Sequence, residues 1–230
     1  MKKAIVDIHR YKTNSTTNII IPSIPISKGF KPIKTLKNTL EKKVFEISNG
    51  KESRIAKVMT LYNVGNDVDV LERLSKYNLA PIIYKTDVYI DEKGNDMIYI
   101  EMERLDGTIY QLLKTKLDKK DLEIILKLIN ELLLRLKKFK LSHGDFHWEN
   151  IGFIYDEKKD CVFLKMIDFE FAENKSDFRK EVLQLIRTLD KKYTPLIDAS
   201  NRVYIKNRLE EYYKKNFSVI KDIEKEYKEL

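Results

Sequence analysis

Leu141-Ser142-His143-Gly144-Asp145-Phe146-His147-Trp148-Glu149-Asn150 is the stretch on which the reading of this chain turns. Two of its three histidines, two acids and an amide fall within eight residues. Eighteen residues after Asn150 comes Met166-Ile167-Asp168-Phe169-Glu170, where an acid directly follows an apolar, strand-like run. The spacing of Asp145 and Asn150 lets one loop do two jobs, a carboxylate facing a hydroxyl and an amide oxygen facing a cation. Asp168 can add a second hard oxygen, and Mg²⁺ takes one or two protein carboxylates plus phosphate oxygens. The bland alternative is a polar loop whose His and Asn side chains bond its own backbone.

Outward from this loop the pattern alternates between two periods. Upstream, 118–140 carries Leu122, Ile125, Leu126, Ile129, Leu132, Leu133 and Leu136 on one helical face. Further upstream, 44–47 and 54–58 read as strands across an Asn49-Gly50 turn. A helix is expected over 67–77, and a second strand pair over 82–90 and 97–102. Downstream, a hairpin is expected over 151–155 and 162–167, then helices over 177–189, 202–213 and 219–227. The β-branched run Ile19-Ile20-Ile21 has no clear assignment. Strands with one helix, followed by helices with one hairpin, predict an α+β chain in two unequal lobes.

Composition narrows the class. With 230 residues, 43% hydrophobic and 35% charged, the chain can bury a core. One cysteine, Cys161, excludes an internal disulfide or a multi-cysteine metal site. No apolar run approaches the roughly 20 residues of a membrane helix, and Asp7, His9 and Arg10 interrupt any signal-peptide core. A cytoplasmic protein with no membrane span is expected. The net charge of +8 is concentrated over 28–57, where nine basic residues face three acids. The favoured reading of that excess is a solvated lysine-rich face, and the sharper one is an anionic partner, phosphate or nucleic acid. With only Phe30 and Phe45 as aromatics in the region, nucleic acid is not favoured.

His143-Gly144-Asp145-Phe146-His147-x-x-Asn150 followed by Ile167-Asp168-Phe169-Glu170 resembles the catalytic loop and metal motif of the protein-kinase-like superfamily. It is most similar to the aminoglycoside phosphotransferase and choline kinase branch. The resemblance implies Asp145 as catalytic base, with His143 and His147 shaping the loop, and Asn150 and Asp168 as Mg²⁺ ligands. Arg54-Ile55-Ala56-Lys57 is similar to the family's third-strand motif, which implies Ala56 and Lys57 at the nucleotide and Glu72 as the ion-pair partner of Lys57. Met102-Glu103-Arg104-Leu105 resembles the hinge, with Met102 as gatekeeper and the Glu103 and Leu105 backbones facing adenine. The implied architecture is a bilobal protein-kinase-like fold, a single domain over 1–230. Its small β-rich N-lobe would span 1–103 and its truncated, mainly helical C-lobe 104–230. The implied cofactors are ATP and Mg²⁺, and the acceptor is a hydroxyl of unspecified class.

Two departures matter. The family's three covering-loop glycines fall on Lys37, Thr39 and Lys42, so backbone amides cannot approach phosphates there as glycines allow. Lysine charge could replace them; otherwise the chain is a pseudokinase, a nucleotide-binding or scaffold module. Only 62 residues follow Asp168, with no Ala-Pro-Glu motif, which resembles minimal kinases such as lipopolysaccharide-kinase-like and large-DNA-virus proteins. Asp177, opening the next helix, reads equally as a brace for the Asp145 loop or as a plain N-terminal helix acid.

Overall fold

The computed structural model describes residues 24–39, 42–65, 67–175, 177–191 and 197–226, with side chains left out at 190–191 and 217–226. The run Ile19-Ile20-Ile21 and the side-chain pattern of 219–227 lie outside what it describes. Within it, five strands form an antiparallel sheet in the order β1-β2-β3-β5-β4. They are β1 (Lys31–Asn38), β2 (Lys42–Ser48), β3 (Ser53–Thr60), β4 (Ile83–Ile90) and β5 (Asp96–Glu103). A 3₁₀ turn (Leu61–Asn63) and helix α1 (Asp67–Ser75) connect β3 to β4. The remainder is mainly helical: β6 (Gly107–Thr108), α2 (Ile109–Leu113), α3 (Lys119–Lys138), the hairpin β7 (Ile151–Asp156) and β8 (Cys161–Met166), α4 (Phe178–Lys191) and α5 (Ala199–Glu226). The fold is α+β, with a short helical part beside the larger sheet.

Helix α3 forms for the reason its sequence states. Asp118 caps it by accepting from the Asp121 N–H at 2.8 Å, and Leu122, Ile125, Leu126, Ile129, Leu132, Leu133 and Leu136 are all buried. Helix α1 ends two residues before the expected boundary. Asn78 takes a left-handed conformation (φ 58°), and the Leu79 N–H turns back to the Leu74 carbonyl at 3.1 Å. The two terminal helical stretches expected from sequence form one helix, α5.

Strand β1 is not expected from sequence. Its residues, Lys-Pro-Ile-Lys-Thr-Leu-Lys-Asn, are mostly exposed, and its pairing with β2 is bulged at two places. Lysine, proline and bulges are devices of a protected sheet edge, so the strand lacks the apolar alternation that marks a half-buried one. Its hairpin with β2 closes where Thr39 donates its N–H to the Lys42 carbonyl at 3.0 Å. That hairpin occupies the place of the expected glycine-rich loop.

The sheet has two faces with different tasks. On the outer face Phe45, Ile47, Ala56, Val58 and Tyr99 form a small core. The 24–30 segment lies over it, pinned by the Ser27 N–H to buried Glu101 at 2.6 Å and by Lys85 to the Pro25 carbonyl at 2.6 Å. Arg54 lies over the rings of Phe30 and Tyr84, 4.4 and 4.1 Å from their centres. On the inner face, Met59, Ile98, Ile100 and Met102 join the large core that runs through α1 and α3 to the loop holding Phe146 and Trp148.

Helix α5 is tied to α3 by one carboxylate. Glu123 accepts from Tyr204 Oη at 2.7 Å, Tyr212 Oη at 3.1 Å and Arg208 Nε at 2.9 Å. Arg208 holds the Glu123 carboxyl down at about 2, with burial opposing and the two tyrosines helping. Replacing Glu123 with Ala removes the shared acceptor of Arg208 and two hydroxyls, though Arg208 keeps Glu211 and Tyr212, and should lower unfolding stability by about 1 kcal/mol. Tyr204→Phe should cost about 0.5–1.5 kcal/mol. Urea unfolding of both variants measures this. Stabilities equal to wild type would show that the Glu123 bonds add nothing net to the hold that apolar contacts and the Asn216–Asn130 bond (2.7 Å) already give.

Candidate functional site

The loop between α3 and β7 is buried, so its backbone groups need partners. Most come from α4. A single oxygen of Glu181, Oε1, accepts from Ser142 Oγ (2.5 Å), the His143 N–H (2.6 Å) and the Gly144 N–H (3.2 Å). One turn on, Gln184 accepts the Phe146 N–H at 3.0 Å and donates to Asp145 Oδ1 at 2.8 Å. Trp148, fully buried, donates its indole N–H to the Leu185 carbonyl at 3.0 Å. The brace is therefore Glu181, and Asp177 instead caps α4 by accepting the Lys180 N–H at 2.9 Å. Sequence reasoning missed Glu181 although α4's apolar positions point to it: Val182 and Leu185 are buried, and Glu181 lies on their face. Gly144 is required where it stands, since φ is +80° and a Cβ would fall 2.0 Å from the Phe171 carbonyl oxygen.

His143 joins the two halves of the site. Its Nδ1 accepts the Asp145 N–H at 3.4 Å, and its Nε2 faces the Ile167 carbonyl at 2.9 Å. A carbonyl only accepts, so the neutral tautomer with the proton on Nε2 fits. The ring lies against Phe169, with centroids 4.7 Å apart. It positions the loop and does not touch the Asp145 carboxylate. His147 does: its Nε2 is 3.2 Å from Asp145 Oδ2, while its Nδ1 accepts the Glu149 N–H at 3.2 Å. Asn150 donates Nδ2 to the Asp145 carbonyl (2.9 Å) and Oδ2 (3.3 Å), which leaves its amide oxygen as the atom able to face a cation. The His147 hydrogen bond holds the Asp145 carboxyl below its ordinary value, against the upward push of burial. Asp145 is thus an ionised, closely oriented acceptor.

The second cluster gathers around Lys57. Burial pulls its ammonium down, but Asp67 and Asp168 outweigh that and leave it above the ordinary lysine value. Lys57 Nζ bonds Asp67 Oδ2 and lies 3.1 Å from Asp168 Oδ1 and 3.5 Å from Glu170 Oε1. The other Asp67 oxygen accepts the Phe169 N–H at 2.8 Å. The partner of Lys57 is therefore Asp67, and the expected pairing with Glu72 is not made. Glu72 is exposed on α1. Buried Val70, Leu71 and Leu74 set the helix's inner face, and Asp67 lies on it at the i, i+3, i+4, i+7 spacing while Glu72 does not.

Ala56 also departs from expectation. Side chains alternate along a strand, so Ile55 and Lys57 share the inner face and Ala56 turns to the outer core. Ile55 is the residue placed beside Lys57. Met102 is buried in register with Ile55 on β3 and Ile83 on β4. Glu103 donates its N–H to the Ile82 carbonyl at 2.8 Å, and its carboxylate receives Lys165 at 2.5 Å. Leu105 packs so closely over Gly152 that a Cβ there would lie 2.2 Å from its Cδ1.

Asp168 has φ +70°, a conformation rare for residues with a side chain and often kept at working sites. Oxygens of Asp67, Asp168 and Glu170 lie within 4.8 Å of one another, a hard-oxygen set that suits Mg²⁺. Burial raises the Asp168 carboxyl, but Lys57 and Lys42 outweigh it and hold it well below the usual range.

No family model matches the chain, and no curated protein does. Among solved structures the fold is similar to the kinase domain of PF14_0431, with a TM-score of 0.52 and 17% sequence identity. That alignment covers 70% of this chain and 56% of the other, so this chain spans a little over half of its neighbour's length. At this identity the likeness is one of fold. Among the described residues, no helix is long and apolar enough to cross a membrane.

Two outcomes follow from the geometry. Breaking the buried pair with Asp67→Ala should cost about 3–5 kcal/mol, whereas Glu72→Gln should change stability by less than about 0.5 kcal/mol. Chemical denaturation distinguishes this from a Lys57–Glu72 pair, which would reverse the order. Burial depresses the His143 pKa below its ordinary 6.5, so the unfolded chain binds a proton first as pH falls. Stability should therefore decline from about pH 6.5 downward, well before the carboxylates titrate. His143→Gln should flatten the melting temperature between pH 7 and 5; an unchanged slope would place the proton uptake elsewhere.

Proposed function

We propose that the chain is a Mg²⁺-ATP-dependent phosphotransferase acting on a hydroxyl acceptor, built as one bilobal unit that divides near residue 103. The observation that carries this reading is the 3.1 Å contact between Lys57 on β3 and Asp168 after β8, beside a loop that presents an ionised Asp145. A cation for phosphates, a carboxylate for a metal and a carboxylate for an incoming hydroxyl are the three parts that phosphoryl transfer needs.

In this reading Asp145 accepts the hydroxyl proton as the acceptor oxygen bonds to the γ-phosphorus and the bond to ADP breaks. His147, Gln184 and Asn150 hold that carboxylate in one orientation, so most of the catalysis is positioning. Asn150 and Asp168 would hold Mg²⁺, which supplies charge neutralisation at the phosphates when bound. Lys57, fixed by Asp67, orients the α- and β-phosphates. Met102 and the Glu103 and Leu105 backbones would border the adenine.

A pseudokinase is the second reading, and one observation favours it: Lys42, in place of a loop glycine, lies on Asp168 and Glu170. Transfer of labelled phosphate from ATP to water, the chain itself and panels of hydroxyl compounds separates the two. Asp145→Asn should keep Mg²⁺-ATP affinity within a few-fold and lose about 10²–10⁴ in turnover. Asp168→Asn should lose metal-dependent nucleotide binding as well. A wild-type chain that binds Mg²⁺-ATP yet transfers no phosphate would make it a pseudokinase, and no binding at all would refute both readings.

A further inference from the structure

Lys42 is the most unexpected charge in the molecule. It stands at the start of β2 with its side chain 10% exposed. Its backbone is pinned, accepting from Thr39 N–H and Oγ1, both at 3.0 Å, and donating to Thr39 Oγ1 at 3.1 Å. Strand register pairs it with Met59, which puts it on the face of Lys57. Its Nζ bonds Asp168 Oδ1 and lies 2.6 Å from Glu170 Oε1. Those are the same two oxygens that Lys57 approaches. Two ammonium groups from adjacent strands thus converge on one pair of carboxylates, while Lys37, the other lysine at a glycine position, is exposed.

We propose that Lys42 is a triphosphate ligand that takes over the work of the missing loop glycines. This rests on the phosphotransferase reading and names its phosphate grip. With no ligand present, Lys42 neutralises Asp168 and Glu170. When a metal takes Asp168, the ammonium keeps only Glu170 beside the bound nucleotide, and the terminal phosphates supply the second counter-charge. An ammonium on a flexible four-carbon stem can make that exchange without moving its pinned backbone. A backbone amide offers one weak donor, whereas this group brings a full charge and three donors. Lys42 therefore competes with a metal bound alone and assists a metal bound with phosphates.

Those opposite signs are the test. In calorimetric titrations Lys42→Met should weaken Mg²⁺-ATP by about 10- to 100-fold, the range of one charged hydrogen bond. It should leave adenosine affinity unchanged and bind Mn²⁺ alone more tightly than wild type. Lys42→Arg should stay within a few-fold of wild type for Mg²⁺-ATP. Lys37→Met, which removes the same charge from the same hairpin, should change none of these. A second measurement needs no variant: an ATP acyl-phosphate, which acylates amines touching the terminal phosphate, should label both Lys42 and Lys57 in the wild-type chain. Equal Mg²⁺-ATP affinity in Lys42→Met, parallel loss of adenosine or Mn²⁺ binding, or labelling of Lys57 without Lys42 would each overturn the proposal. Any of those results with wild-type binding intact leaves the phosphotransferase reading standing. A wild-type chain blind to ATP removes both.

Discussion

The buried ammonium of Lys57 is the constraint on which the rest of the site depends. A charge taken out of water is costly unless it is paired and hydrogen-bonded, and removing one partner costs more than the pair contributes. Lys57 meets that demand with acids from two distant places, the first residue of α1 and the loop after β8. Asp67 extends the tie by taking the Phe169 N–H, so strand β3, the start of α1 and the Asp168 loop share one set of bonds. Gly65 lets them approach, since a Cβ there would stand 2.7 Å from the Glu170 carbonyl oxygen. None of these elements can shift alone without stranding a buried charge.

The catalytic-type loop is held by a different principle. Leu141, Phe146 and Trp148 anchor it in the core, but it also has many backbone groups that burial would leave unbonded. Helix α4 answers them with side chains at successive turns, Glu181 and then Gln184, and with the Leu185 carbonyl. The result is a carboxylate, Asp145, whose orientation is set by groups fixed in a rigid helix and by His147 and Asn150 beside it. Chemistry that works by positioning requires this kind of support. The same geometry makes His143 a structural link between the two acidic motifs.

The lysine-rich stretch shows how little a local net charge says about function. Of the nine basic residues over 28–57, Lys31 and Lys37 face solvent, Arg54 lies between two aromatic rings on the outer face, and Lys42 and Lys57 are buried against Asp168. Register alone does not separate the last two, since Lys31 and Lys37 pair with Ser48 and Val44 on the same face of β2. The bulged edge strand leaves those two exposed, whereas Lys42 and Lys57 are buried. The excess of charge is thus divided between a protected sheet edge and ammonium groups buried among carboxylates.

Periodic features were readable from the sequence because they report a single physical choice, which side of an element leaves water. Every apolar position named on α3 is buried, all three expected strand pairs form, and the motif around Asp145 and Asp168 lies on loops. Parity would also have placed Ile55 rather than Ala56 beside Lys57, so that error came from matching a motif without counting faces. What only the tertiary structure decided are the pairings between distant charges. Asp67 rather than Glu72 meets Lys57 because α1 presents its first turn, not its middle, to β3. Glu181 rather than Asp177 holds the Asp145 loop because α4 meets it one turn in, and Lys42 reaches Asp168 across 126 residues. Each pairing depends on where a helix or hairpin comes to rest against the common core. No local pattern encodes that position, since it is set by the sum of all the packing around it.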